Sequence, residues 1–257
     1  MVENWQFRHG EVIGSFLKDL NKKTDAFILK GGTSLKLCYG LDRFSEDIDL
    51  DVRKRQDLIG FVDDFCKRNG YSYRVGKDTE TVKRCFINYG DDSRPLKVEA
   101  SYRRSFIADS DFTVVNGLCV YKIDRIAQMK ANAYSSRDKI RDLYDVVFIC
   151  NNYFDDLSGP TKNLISDAIE NKGLEQFDYL ISTQKDPLID NNKLASDFLN
   201  VNEKFGLLYG DEERNKMNDT VEKLQVEANE KMIKEGLEEF FAKRRAKSME
   251  NPHGPKL

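Results

Sequence analysis

Histidine is nearly missing from this chain: its 257 residues include only His9 and His253, one near each end. That argues against a Ser-His-Asp triad and against a histidine-rich metal centre. Cysteine is sparse and scattered. Cys38, Cys66, Cys85, Cys119 and Cys150 are odd in number and form no CxxC pair. Neither a zinc site nor a disulfide framework is expected, and a reducing cytoplasm is the natural setting. The first residues, MVENWQFRHGE, contain no apolar h-region, so no signal peptide is expected. No apolar run approaches the length of a membrane span. A global basic field is missing too, because the net charge is −3. The charge is uneven, however. Residues 1–150 carry 26 Lys and Arg against 23 Asp and Glu, and residues 151–257 carry 15 against 21. A nucleic-acid partner would need a local basic patch in the first part.

What is present is enough apolar sequence, 40% of the chain, for one large or two modest domains. The most informative stretch is KGGTSLKLCYGLDRFSEDIDLDV, Lys30 to Val52. Phe27-Ile28-Leu29 before it reads as a buried strand. Gly31-Gly32 breaks that strand and lets the backbone come close to a ligand. Thr33-Ser34 is expected to cap a short helix whose free N–H groups face the glycine turn. Ile48 to Val52 reads as a second strand. Ile48, Leu50 and Val52 face a core, and Asp47, Asp49 and Asp51 face the other way.

Carboxylates at i and i+2 on one strand face suit a hard divalent cation, Mg²⁺ or Mn²⁺, that shares its shell with substrate phosphates. Together with a glycine turn this is a layout for phosphoryl or nucleotidyl transfer. Asp-x-Asp alone reads more readily as an acidic strand edge. The preceding Gly-Gly-Thr favours the site.

The same residues carry a family likeness. GGTSLKLCYGLDRFSEDIDL resembles the AbiEii/AbiGii toxin family of the polymerase-beta-like nucleotidyltransferase superfamily. Gly32, Thr33, Asp47 and Asp49 fall at the superfamily's positions. Tyr39-Gly40-Leu41 and Arg43 to Asp47 match the narrower signature. The likeness spans roughly residues 25–150.

Helical spacing predicts helices over Glu11–Lys22 and Gln56–Arg68. Strands are expected at Tyr71–Val75, Val82–Tyr89, Leu96–Tyr102 and Phe112–Tyr121. From Lys122 onward the pattern is helical, with a polar linker at Asn151–Pro160. Further helices are expected at Thr161–Leu180, Lys193–Leu208 and Asp211 to about Lys247. The expected fold is α+β: a nucleotidyltransferase domain over 1–155, with a mixed sheet and flanking helices, and a helical bundle over 156–257.

Three more pieces bear on a site. Leu96 to Tyr102 alternates, so Lys97, Glu99 and Ser101 share a face. Glu99 is either the third carboxylate that superfamily members often add or part of a solvated face. A Glu-x-Lys nuclease motif is not met, because position 101 is serine. Lys130 lies on the stripe of Ile123, Ile126, Ala127 and Tyr134, and can snorkel outward or reach a phosphate. Asp142 and Asp145 share a face near Arg141 and read locally as a charged helix start. In the family, a helical lysine is implicated in nucleotide contact and an aspartate of an Arg-Asp-Leu-Tyr-Asp element in catalysis. The resemblance therefore implies Lys130, and Asp142 with Asp145 as alternate.

The expectation is thus a cytoplasmic bacterial enzyme. Gly31, Gly32, Thr33 and Ser34 hold an NTP with Lys130 and Arg141. Asp47, Asp49 and Glu99 hold the metal. By the resemblance, RNA or a tRNA end is the acceptor and a cognate antitoxin the partner. A protein or small-molecule hydroxyl as acceptor, and a non-catalytic binding module, are the alternatives.

Overall fold

The computed structural model describes residues 4–90, 94–104, 106–208 and 233–234. The chain divides into two compact units, Met1–Val201 and Asn202–Leu257, and the fold below is that of the first. The expected helix from Asp211 to about Lys247 lies outside the described residues, apart from 233–234, which are helical.

Helix α1 (Asn4–Lys23) opens the chain. Its stripe of Val12, Ile13, Phe16, Leu17 and Leu20 is buried to 5% exposure or less, which is why it packs on the sheet along its whole length. Strand β1 (Phe27–Lys30), helix α2 (Gly31–Cys38) and strand β2 (Ile48–Val52) follow. Helix α3 (Leu58–Asn69) starts at Asp57, whose carboxylate accepts from the Ile59 and Gly60 N–H groups, and ends at left-handed Gly70. Strands β3 (Ser72–Asp78), β4 (Val82–Asn88) and β5 (Leu96–Ser101) form a meander.

The expected strand over Phe112–Tyr121 is instead a hairpin of β6 (Phe112–Val115) and β7 (Leu118–Tyr121). Asn116 and Gly117 have φ values of 52° and 79°. Asn-Gly accepts positive φ at both central turn positions more readily than other dipeptides.

Among the described residues the seven strands form one sheet in the order β3-β4-β5-β2-β1-β7-β6. β1 runs antiparallel to β2, with Lys30 opposite Asp49, and parallel to β7. β2 runs parallel to β5, with Asp49 opposite Glu99. β7 is apolar throughout and β1 is apolar up to Lys30, while β2 and β5 alternate.

Helices α4 (Ile123–Ser136), α5 (Ile140–Tyr153) and α6 (Gly159–Thr183) pack on one another. α6 is broken at Gly173, and α7 (Asn191–Phe205) follows. Most of the stretch read as a linker is structured. α5 runs to Tyr153, a 3-10 turn covers Phe154–Asp156, and Pro160 sits in the first turn of α6, where its missing N–H costs nothing. The described residues between 161 and 208 contain no strand. No described helix is long and apolar enough to cross a membrane.

Candidate active site

The chain turns from β1 into α2 at Gly31, whose φ is 77°. A Cβ there would stand 3.1 Å from Asp49 Oδ2, so the turn lies directly against the strand carboxylate. At Gly32 a Cβ would come within 2.8 Å of Ser45 Oγ and 2.9 Å of Arg43 Nη2. Both glycines are therefore required by close approach, and Gly31 also by conformation. Gly31→Ala is expected to destabilise the fold by roughly 1–2 kcal/mol, the cost of a left-handed alanine. A lowered urea midpoint at unchanged m-value checks this.

Thr33 and Ser34 do not cap the helix. The residue before α2 is Lys30, which makes no side-chain cap. The Ser34 hydroxyl donates to the Gly31 carbonyl at 2.7 Å. The Thr33 hydroxyl donates to Ser45 Oγ at 2.9 Å and to the Asp47 carbonyl. Both hydroxyls sit inside the helix: Thr33 stitches it to the Ser45–Asp47 run, Ser34 ties back to Gly31 within the helix, and neither caps the first backbone N–H groups.

Asp47, Asp49 and Glu99 come together on one sheet face. Lys97 joins them from β5, its ammonium 2.6 Å from Asp47 Oδ2 and 3.9 Å from Asp49 Oδ1. Burial pushes the Asp49 carboxyl above its usual range; Lys97 opposes this, and the Asp47 and Glu99 charges add to it. Burial works against the Lys97 ammonium, but its hydrogen bond to Asp47 and the surrounding carboxylates raise its pKa overall. Glu99 accepts from Arg84 Nε at 2.5 Å.

This donor set fits a hard divalent cation. The two aspartates present oxygens only, they repel each other, and an ammonium already bridges them. No group of three or more His, Cys, Asp or Glu residues placed to hold a metal ion exists among the described residues, so Glu99, held by Arg84, does not join the two aspartates as the expected third ligand. Mg²⁺ characteristically completes such a shell with water and substrate phosphate.

Asp51 continues the row but is almost fully buried, 1% exposed. Lys30 lies 2.5 Å from it, the Tyr121 hydroxyl donates to it at 2.9 Å, and Arg104 is 3.3 Å away. The i, i+2, i+4 spacing puts Asp51 on the site face, and only the tertiary contacts separate it from a ligand role.

Asp142 and Asp145 are buried, at 2% and 0% exposure, rather than forming a solvated helix start. Arg43 forks onto Asp145, with Nε and Nη2 each donating at 2.8 Å. The Lys130 ammonium lies 2.6 Å from Asp145 and 3.8 Å from Asp142. Its amine is thus engaged by this buried pair. Asp142 accepts from Arg137 Nε and Nη2 at 2.6 and 2.9 Å. That hydrogen bond, against a burial penalty, holds the Arg137 guanidinium above its ordinary pKa, with Asp142, Asp49 and Asp145 charges adding to it. Arg141 is bonded to Asp186 at 2.5 Å and lies 3.5 Å from Glu46.

A cavity of about 540 Å³ opens beside the carboxylates, lined by Asp47, Arg137, Arg141, Asp142 and Lys185 among others. A second, of about 840 Å³, shares Arg141, Lys185 and Asp186 with it and extends to Trp5 and Phe44. The residues that sequence reasoning left without a role here are Arg43, Lys97, Arg137 and Lys185. Lys97 was readable from its alternation with Glu99. The others depend on contacts across as many as a hundred residues.

The family model for the nucleotidyl transferase AbiEii toxin of type IV toxin–antitoxin systems matches residues 15–248. No curated protein matches the sequence significantly. The crystal structure of JHP933 from Helicobacter pylori is similar, at 26% identity and a TM-score of 0.67, over 88% of this chain and all of that one. A second H. pylori structure, of a protein assigned as a nucleotidyltransferase, is 27% identical with a TM-score of 0.65, over 82% of this chain and all of that one.

Proposed function

The chain belongs to the AbiEii nucleotidyltransferase toxin family, and we propose that it moves a nucleoside monophosphate from an NTP to an acceptor hydroxyl on RNA. The observation that carries this reading is the close approach of the glycine turn to the Asp49 carboxylate. A phosphate bound to the N–H groups of Gly32 and Thr33 lies within reach of Asp47 and Asp49, because Gly31 leaves only 3.1 Å to Asp49 Oδ2 at its missing Cβ.

Asp47 and Asp49 are the residues that hold Mg²⁺ or Mn²⁺, and Glu99 stands beside them. A divalent cation at this place, when bound, neutralises charge on the transferring phosphoryl group and on the leaving pyrophosphate. Lys97 supplies the counter-charge that keeps two carboxylates adjacent. Arg137, oriented by Asp142 and lining the cavity, is the cation best placed for the triphosphate. Arg141 and Lys185 line the same cavity, where the rest of the nucleotide fits. Lys130, Asp145 and Arg43 position the loop from behind, since Arg43 Nη2 backs Gly32. Glu99, opposite Asp49 on β5, is the carboxylate that would take the proton of an acceptor hydroxyl arriving from that side.

Each of the four α-³²P-labelled NTPs, incubated with total RNA and separately with lysate protein, tests the reading. Label is expected in RNA, from one NTP above the others, and only with divalent cation. Label in protein alone, or in neither, overturns the RNA acceptor. The family also implies a growth-inhibiting role opposed by a cognate antitoxin. Induced expression of the chain is expected to arrest growth, and growth unaffected by the active enzyme would contradict this role.

A further inference from the structure

The sheet does not end at the carboxylates. β4 and β5 continue the same face outward: Phe86 lies opposite Lys97, and Arg84 opposite Glu99. β3 extends it again, with Arg74 opposite Phe86 and Lys77 opposite Arg84. Arg74 and Lys77 are exposed, and Phe86 and Arg84 are half-buried. Helix α3 covers the other face, where Lys83 reaches its capping residue Asp57. With Lys97 already held by Asp47 and Asp49, the outer face offers three cations, Arg74, Lys77 and Arg84, against one carboxylate, Glu99. Neither Arg74 nor Lys77 has an ion-pair partner among the described residues.

Its geometry is specific. The Arg74 guanidinium lies over the Phe86 ring, 3.9 Å from the centroid. The ring packs flat on the neighbouring strand because position 76 is glycine: a Cβ there would come within 2.5 Å of Phe86 Cε2. A bulge between Val75 and Lys77 brings Lys77 round to face Arg84. An edge strand guarded against aggregation needs charge. It has no use for a stacked guanidinium–aromatic plane, which is a surface on which nucleobases stack.

We propose that this open face of β3 and β4 is the bed for a single-stranded RNA acceptor, whose terminal hydroxyl reaches the carboxylates across β5. This rests on the RNA-acceptor reading and adds where the strand lies. In-line transfer sets the attacking oxygen opposite the leaving pyrophosphate. The nucleotide cavity joins Asp47 to Arg137, Arg141 and Asp142 of the α4–α5 region, and the glycine turn follows β1, on the opposite side of β2 from β5, so the acceptor comes from the β5 side. That side holds Glu99 first and then the basic, aromatic surface, about 10 Å across two strand spacings.

The test uses the full chain and a fluorescein-labelled single-stranded oligoribonucleotide of about 12 nucleotides, a length within the range such surfaces bind. Fluorescence anisotropy gives Kd over a salt series. Arg74→Ala with Lys77→Ala is expected to weaken binding about tenfold to a hundredfold and to lower the salt slope by one to two contacts, roughly. Arg74→Lys should keep the slope and still lose affinity, because the stacking plane is gone. Lys67→Ala with Arg68→Ala, an equal charge change on α3, is expected to leave Kd within about threefold, as a loss of general attraction only. Affinity for α,β-methylene ATP should be unchanged in all three. If wild type binds the RNA and the Arg74/Lys77 pair binds it equally, the face is wrong and the RNA reading stands. If wild type binds no RNA and labels another acceptor, the RNA reading fails and the face falls with it.

Discussion

Asp49→Asn is expected to reduce nucleotide transfer by about three orders of magnitude, the scale of a lost electrostatic group at a reacting centre, while the protein stays folded. The amide keeps the shape and removes the charge that the divalent cation needs. Stability should hold or rise. Burial, with Asp47 and Glu99 beside it, raises the folded-state pKa of Asp49 above that of an ordinary aspartate. Ionising a group with a raised pKa costs folding free energy. That cost is absent below the unfolded value, grows as pH rises through the window between the two values, and is complete above the folded one. The variant's thermal advantage should therefore appear at neutral pH and vanish below about pH 3.8. Melting curves across pH and gel-resolved transfer from a labelled NTP check the two halves. Full divalent-dependent activity in Asp49→Asn would remove this carboxylate from the metal site.

Arg43→Met should cost on the order of 3–5 kcal/mol, because it strips the fork from a carboxylate with no solvent access. Asp145 is 0% exposed and would keep only Lys130, 2.6 Å away. For a chain of this size that is a Tm drop of roughly 10 °C. NTP binding should be lost with it, since Arg43 Nη2 backs the backbone of Gly32. Lys130→Met leaves both guanidinium bonds in place and should cost about 1–3 kcal/mol. Urea unfolding of both variants measures the order. A Lys130→Met protein with wild-type stability and greatly reduced transfer would show that the amine works on the nucleotide and not on Asp145.

The site was legible in unequal parts. The glycine turn and the alternation of Ile48–Val52 and Leu96–Tyr102 are local patterns, and the structure places Asp47, Asp49 and Glu99 on one face as the period of two requires. Asp51 satisfies the same period yet is buried under Lys30, Tyr121 and Arg104, contacts that no spacing encodes. Lys130 shows the limit most clearly. Its stripe was read correctly, because Ile126, Ala127 and Tyr134 are buried with it. Its partner could not be read, because a helix face says which way a side chain points and not what stands opposite.

By itself, then, the sequence determined most of the elements and their buried faces, since these follow from periodicity and turn chemistry within a few residues. The one local signal overlooked, Asn116-Gly117, was of this kind. The tertiary structure alone decided which charges meet. Arg43 and Asp145 are 102 residues apart, and Arg141 and Asp186 are 45. An ionic partner is selected by proximity in the folded chain, and many Arg, Lys, Asp and Glu residues are chemically interchangeable candidates until the sheet order and helix packing leave each buried charge with one or two opposite charges in reach.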